Sequence, residues 1–180
     1  MRPLLRLMAV VLPVIGFTAC ATMNVSSQVQ RGLDFSKYHS YEWGEPDALP
    51  AGDPRLATPF FRDHLEGAVE KALAAKGFER ATAGRPDLLI HYHASIDERI
   101  DVNRADRDRG YGYGGNSGIT VYSFEAGTIV VDVVDARTDR VIWRGWAQKS
   151  LEGVLDNPDR MAAMIDQAVA RMMARFPRPL

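Results

Sequence analysis

The chain has 180 residues, of which 46% are hydrophobic and 25% are charged, and its formal net charge at pH 7 is −1. These values fit one globular domain with a packed core, and they argue against the strongly basic face that nucleic-acid binding requires, so no nucleic-acid partner is expected. The one cysteine excludes an internal disulfide bond.

The N-terminal residues form a short cationic and apolar leader. Arg2 and Arg6 supply positive charge, and residues 7–17 form an uncharged run. A helix that crosses a bilayer needs about 20 residues, so this run is too short to span one. It has the proportions of a signal-peptide core.

The leader ends at the tetrad Phe17-Thr18-Ala19-Cys20, which resembles the bacterial lipobox. In a lipobox the cysteine thiol is lipidated and the chain is cleaved just before it. We therefore predict that residues 1–19 are a lipoprotein signal peptide and that Cys20 carries the lipid that attaches the protein to a membrane. Ala21 stands where many Gram-negative lipoproteins retained in the inner membrane have aspartate. The predicted location is therefore the periplasmic face of the outer membrane.

The mature chain is expected to have two parts. Residues 20–30 would hold the lipidated N-terminus, a short linker and the start of the first strand, and residues 23–180 would form a single α+β domain. Without residues 1–19, which contain two basic and no acidic residues, the net charge is about −3. A chain of this composition indicates no polybasic patch for anionic lipid.

Alternating and helical hydrophobic patterns predict the element order β-β-α-β-β-β-β-α. Thr58-Pro59 and Asn157-Pro158 supply the N-cap and the first residue of two amphipathic helices, which end at Gly77 and Pro177. We predict an α+β two-layer sandwich, with a mainly antiparallel sheet of about six strands and both helices on one face. The predicted strands are residues 23–30, 40–43, 88–97, 119–124, 127–135 and 141–150.

Two parts of this pattern stay open. Residues 98–117 combine mixed charges with a Gly-Tyr tract, and a connection of that length is usually either functional or disordered. Trp143 and Trp146 have opposite parity. Either both faces of the sheet are covered there, or Gly145 marks a bulge that brings the two indoles together.

Seven short segments follow one another in a characteristic order: Tyr38–Trp43, Ala75–Phe78, Pro86–Ile90, the Gly-Tyr tract at 110–115, Gly127–Asp132, Asp135–Thr138 and Val141–Ala147. Their order and spacing resemble the bacterial lipoprotein family built on domain of unknown function 4136, over nearly the whole mature chain. The resemblance implies a secreted or lipid-anchored envelope domain. It supplies no catalytic residue, cofactor or enzymatic activity.

His91 and His93 are the sharpest candidates for chemistry. On a strand they project from one face about 6.5–7 Å apart, with Asp97 on the same face. They can bracket a metal ion if a third ligand approaches, and Asp132 and His64 are the candidates elsewhere in the chain. The alternative is a solvated strand face, on which such pairs of histidines are common.

Tyr111 and Tyr113 are candidates for ligand binding, because tyrosines on a glycine-rich backbone can stack on a sugar or on a partner surface. Residues 110–115 have the letters of G-x-G-x-x-G. They do not lie between a strand and a helix, which excludes the dinucleotide-binding fingerprint. The alternative is a mobile, soluble loop.

The sequence therefore predicts a non-enzymatic lipoprotein that acts as a binding or scaffold module for an envelope protein or a glycan, without a cofactor. No residue is predicted to be catalytic. Two alternatives remain: a small metal-dependent hydrolase that uses His91, His93 and Asp97, and a glycan binder that uses Tyr111 and Tyr113.

Overall fold

The computed structural model describes residues 22–44, 53–101 and 122–178. These residues form one six-stranded sheet, two α-helices and a short 3-10 helix. The strands are β1 (Asn24–Val29), β2 (Ser40–Trp43), β3 (Glu79–Arg80), β4 (Leu88–Asp101), β5 (Tyr122–Asp135) and β6 (Arg140–Ser150). The helices are α1 (Pro59–Ala74) and α2 (Pro158–Met173), and the 3-10 helix is Phe35–Lys37.

The strands are ordered β1-β6-β5-β4-β2-β3 across the sheet. The β1–β6, β6–β5 and β5–β4 pairs are antiparallel. The short strand β2 runs parallel to both β4 and β3, because α1 returns the chain across the sheet between β2 and β4. The predicted α+β architecture and its mainly antiparallel sheet are confirmed, with a mixed sheet as the finer detail.

Both helices begin where the caps predict. The Thr58 side chain accepts a hydrogen bond from the amide of Phe61 at 3.2 Å, and that of Asn157 accepts one from the amide of Arg160 at 3.0 Å. Gly77 follows α1 with a φ of +91°, a left-handed conformation that costs glycine little.

The core lies between these two helices and one face of the sheet. Its side chains recur every three or four residues on the helices and every second residue on the strands. The fully buried members with the largest side chains are Trp143, Phe78, Phe176, Leu65, Leu73, Leu88, Ile90, Ile165, Met172, Met173, Val69 and Val131.

Two predicted strand boundaries are wrong. The predicted strands 119–124 and 127–135 are one strand from residue 122 onward, because the β4–β5 ladder continues without interruption through Gly127. Strand β4 also reaches Asp101, so the predicted connection at 98–117 begins inside a strand. Its remainder lies outside the described residues.

The two tryptophans of β6 point to opposite faces of the sheet. Trp143 is buried among the helices at 1% exposure, whereas Trp146 is half-buried on the other face. The irregularity in the β5–β6 ladder lies between Val133 and Val134 and not at Gly145. Gly145 instead leaves room for the Trp143 indole, since a Cβ at that position would lie 2.8 Å from Cζ2 of the ring.

Candidate functional site

The sheet has a second face that neither helix covers, which we call the open face. The alternation predicted for β4 places Leu89, His91, His93, Ser95 and Asp97 there, and the core side chains of that strand lie on the opposite side. The antiparallel register adds side chains from the neighbouring strands β5, β6 and β1. They are Thr128, Val130, Asp132, Arg144, Trp146, Gln148, Asn24 and Ser26.

A charged row crosses the centre of the open face. His91 lies opposite Asp132, and Asp132 lies opposite Arg144. The Arg144 guanidinium donates two hydrogen bonds to the carboxylate, from Nε to Oδ1 at 2.5 Å and from Nη2 to Oδ2 at 2.6 Å. These bonds raise the pKa of Arg144 above its usual value. Asp132 is therefore a buried carboxylate, 4% exposed, with a bidentate cationic partner.

His93 approaches the same carboxylate from the next row. Its Nε2 atom lies 3.7 Å from Oδ2 of Asp132. In the sheet register Val130 of β5 lies opposite His93, and Trp146 of β6 lies opposite Val130. An imidazole and a guanidinium thus flank one carboxylate, and the half-buried indole of Trp146 lies two residues along β6 from Arg144. This cluster can donate hydrogen bonds, carry positive charge and offer an aromatic surface.

His91 packs against the start of the chain that leaves β2. The Gly44 amide donates a hydrogen bond to the carbonyl of Ile90 at 2.9 Å, which brings the Gly44 backbone beside the imidazole. A Cβ on Gly44 would overlap all the nearest atoms of the His91 ring. The glycine therefore leaves room for the His91 imidazole on the open face.

The other ligands considered for a metal ion are not gathered. Asp97 accepts a hydrogen bond from the Ser95 hydroxyl at 3.1 Å and lies four strand residues from His93, about 13 Å along the sheet. His64 lies on α1, where its Nδ1 is 2.9 Å from the Phe60 carbonyl oxygen. Within residues 22–44, 53–101 and 122–178, no three His, Cys, Asp or Glu side chains are arranged to hold a metal ion.

Three predicted site residues, Cys20, Tyr111 and Tyr113, lie outside the described residues. In the described part of the chain, no helix is long and apolar enough to span a membrane.

Sequence reasoning found Asp132 and the two histidines but missed the partner of the carboxylate. A regular hairpin that turns at residues 136–139 would place Asp132 opposite position 143, and the irregularity between Val133 and Val134 shifts the register so that Asp132 lies opposite Arg144. Nothing in the sequence marks Gly44 as a neighbour of His91. Its contact depends on the parallel pairing of β2 with β4, which no local pattern in the sequence predicts.

We expect Arg144→Ala to lower the free energy of unfolding by about 2 kcal/mol, since it leaves the Asp132 carboxylate buried without its cation. The figure is below that of a fully buried pair because the Arg144 side chain is 48% exposed. Urea titration measures it. Arg55→Ala, which breaks exposed contacts to Asp53 and Glu125, should have a much smaller effect. If Asp132→Ala and Arg144→Ala prove additive in the double variant, the two side chains are not coupled.

Fold and site together define a class: an α+β domain with helices on one face of a mixed sheet and a polar, aromatic cluster on the other. The family model for DUF4136, described as a domain of unknown function, matches residues 25–178. The chain belongs to this family, which confirms the resemblance seen in its sequence.

Comparison with solved structures finds similar folds at low sequence identity. A PDZ domain protein from Parabacteroides distasonis is 15% identical, with a TM-score of 0.51 over 87% of this chain and 37% of that one. The chain thus spans little more than a third of that protein. Two dodecamer structures of PelC from Paraburkholderia phytofirmans are 10% identical, with TM-scores of 0.46 over 85% of this chain and 95% or 96% of theirs. No curated protein gives a significant sequence match.

Proposed function

We propose that this protein is a lipoprotein of the bacterial cell envelope, held at the periplasmic face of the outer membrane through a lipid on Cys20. Its folded domain acts as a non-enzymatic binding or scaffold module for an envelope partner. The tetrad that ends at Cys20 supports the anchor. The family match supports a domain of this kind without adding an activity.

The observation that carries the binding role is the composition of the open face. A half-buried indole and Val130 lie beside the Asp132–Arg144 pair there, and the helices cover the core on the opposite face. Aromatic and arginine side chains on a broad, fairly rigid surface are the groups that dominate protein interfaces. A sheet held by long antiparallel ladders also keeps its shape on binding, so it loses little conformational entropy.

The anchor is tested on the native product. Mass spectrometry of the N-terminal peptide should find an acylated Cys20 as the first residue, and Cys20→Ser should give a chain that carries no lipid and keeps its uncleaved leader. An unmodified thiol, or a mature chain that begins at another residue, contradicts the anchor.

The binding role is tested by photo-crosslinking in intact cells. A photoreactive residue at Ser95, exposed on the open face, should give a discrete crosslinked product. The matched control is the same residue at Ala163, exposed on α2, and it should give none. Equal products from both positions, or no product from Ser95, contradict binding through the open face.

A further inference from the structure

An open groove separates the beginning of β1 from the last turns of α2. The empty space in the groove is about 780 Å³, and this figure includes open solvent at its mouth. One wall is the first part of the folded chain, and the other is the last turn of α2 with the two residues that follow it. The lining residues are Met23, Asn24, Val25, Arg171, Ala174 and Arg175.

The two arginines give this groove a positive charge. Arg171 lies in the last turn of α2 and Arg175 lies two residues beyond its end; both line the groove, and both are exposed. The described part of the structure contains no ion pair or side-chain hydrogen bond for either of them. From residue 167 to the end of the chain there are three arginines and no acidic residue. Folding thus collects basic charge that the mildly acidic composition of the whole chain conceals.

The groove lies very close to the predicted anchor. Met23 is the first described side chain that is buried, at 8% exposure, and β1 begins at the next residue. Met23 is three positions along the chain from Cys20, and an extended chain covers at most about 3.6 Å per residue. The acylated cysteine therefore lies within about 11 Å of the groove wall. The polar headgroup layer on each side of a bilayer is itself about 5–7 Å thick.

We propose that this groove binds the phosphate group of an anionic phospholipid, through the guanidinium groups of Arg171 and Arg175. The inference rests on the proposed lipid anchor, which holds the groove at the depth of the headgroups. Each arginine near an anionic membrane surface strengthens the attraction about five-fold. Anchor and groove together hold the β1–α2 side of the domain toward the bilayer and leave the open face accessible to a partner.

The test uses the full-length native protein, purified from membranes in a nonionic detergent and reconstituted into vesicles. One set of vesicles contains phosphatidylcholine alone, and the other an equal mixture of phosphatidylcholine and phosphatidylglycerol. An arginine-specific dicarbonyl reagent is added, and mass spectrometry of the peptides gives a modification rate for each arginine. The internal control is Arg140, which is exposed at the β5–β6 turn, beyond the end of β1 that lies away from Cys20.

Arg171 and Arg175 should react about five-fold more slowly in the anionic vesicles than in the phosphatidylcholine vesicles, and Arg140 should react equally in both. Equal rates for the two groove arginines in both vesicles overturn the proposal, and so does the same slowing at Arg140. A purely structural role of the arginines at the end of α2 does not depend on vesicle composition and predicts no difference.

The same sample separates this proposal from the lipid anchor. If mass spectrometry shows an unmodified Cys20, the anchor fails, and the unanchored chain is mixed with both kinds of vesicle. Slower modification of Arg171 and Arg175 in the anionic vesicles then still supports the groove, and identical rates overturn it. The variant R171Q/R175Q should abolish any selective retention of the chain on anionic vesicles, whereas R140Q should leave it unchanged.

Discussion

Trp143→Ala is expected to lower the free energy of unfolding by about 3–5 kcal/mol, the range for removal of a large buried aromatic side chain. The indole is 1% exposed and meets Phe176 edge to face, with 5.1 Å between the ring centroids. It connects β6 to the chain that follows α2. Urea denaturation at neutral pH, followed by far-ultraviolet circular dichroism, measures the loss.

Trp146→Ala is the matched control, because it removes the same side chain from the same strand on the open face. That indole is only half-buried, so we expect a loss of about 1 kcal/mol. Gly145→Ala tests the packing in the opposite sense, since its methyl group would overlap the Trp143 ring and should destabilise the domain. Equal losses for the two tryptophan variants would contradict the assignment of Trp143 to the core.

The pattern of side chains along this chain predicts most of the fold, because interactions between residues close in sequence determine most of its helices and strands. The capping residues Thr58 and Asn157 determine where the helices begin, and strict alternation in β4 assigns its residues to two faces. What local patterns do not contain is the pairing of distant strands. The two-residue strand β3 exists only because Glu79 and Arg80 lie beside β2. The strand propensity of two residues is too weak a signal to tell such a strand from a loop.

The same limit applies to the candidate site. Asp132 lies between Val131 and Val133 in an otherwise apolar strand, and its burial is the reason that this acid needs a cation. Its partner Arg144 does not follow from a regular hairpin, which would pair position 132 with 143, because the irregularity between Val133 and Val134 shifts the register by one residue. Sequence reasoning also misses the groove of Arg171 and Arg175, because α2 contacts the edge strand β1 only after the sheet has assembled. Charge counted over the whole chain therefore misses it.

A second buried carboxylate, Asp135, joins the β5–β6 turn to the N-terminal part of the domain. It is 4% exposed and accepts a hydrogen bond from the Tyr38 hydroxyl at 2.7 Å. It also accepts bonds from the amides of Arg137 at 2.8 Å and Thr138 at 3.0 Å. Burial by itself would raise the pKa of this carboxyl. The three hydrogen bonds outweigh that effect and hold the pKa below its usual value of 3.8.

Tyr38 responds in the opposite direction. Burial raises the pKa of its hydroxyl, and the hydrogen bond to Asp135 raises it further, to about 12 from 10.0. The folded state therefore favours the ionised carboxyl and the neutral phenol. The carboxyl contributes stability above pH 3.8 that is lost as the pH falls through its lower folded value. The phenol contributes stability below pH 10.0 that is lost as the pH rises toward 12.

Asp135→Ala is expected to lower the free energy of unfolding at pH 7 by about 3 kcal/mol, because one buried hydroxyl and two turn amides lose their acceptor. Tyr38→Phe removes one donor and should cost about 1 kcal/mol. Asp135→Asn keeps the volume and an acceptor oxygen, so its loss at pH 7 should be smaller than that of the alanine variant. Urea titrations at a series of pH values measure all three.

The pH dependence separates a role for charge from a role for packing. The wild-type protein should lose stability below pH 3.8 more steeply than Asp135→Asn, which has no carboxyl to protonate at that position. Between pH 10 and pH 12, Tyr38→Phe should lose less stability than the wild type. If both variants instead follow the wild-type profile at a constant offset, the hydrogen bond between Tyr38 and Asp135 contributes through shape alone. Ionisation of the pair would then have no part in the acid and alkaline limits of this domain.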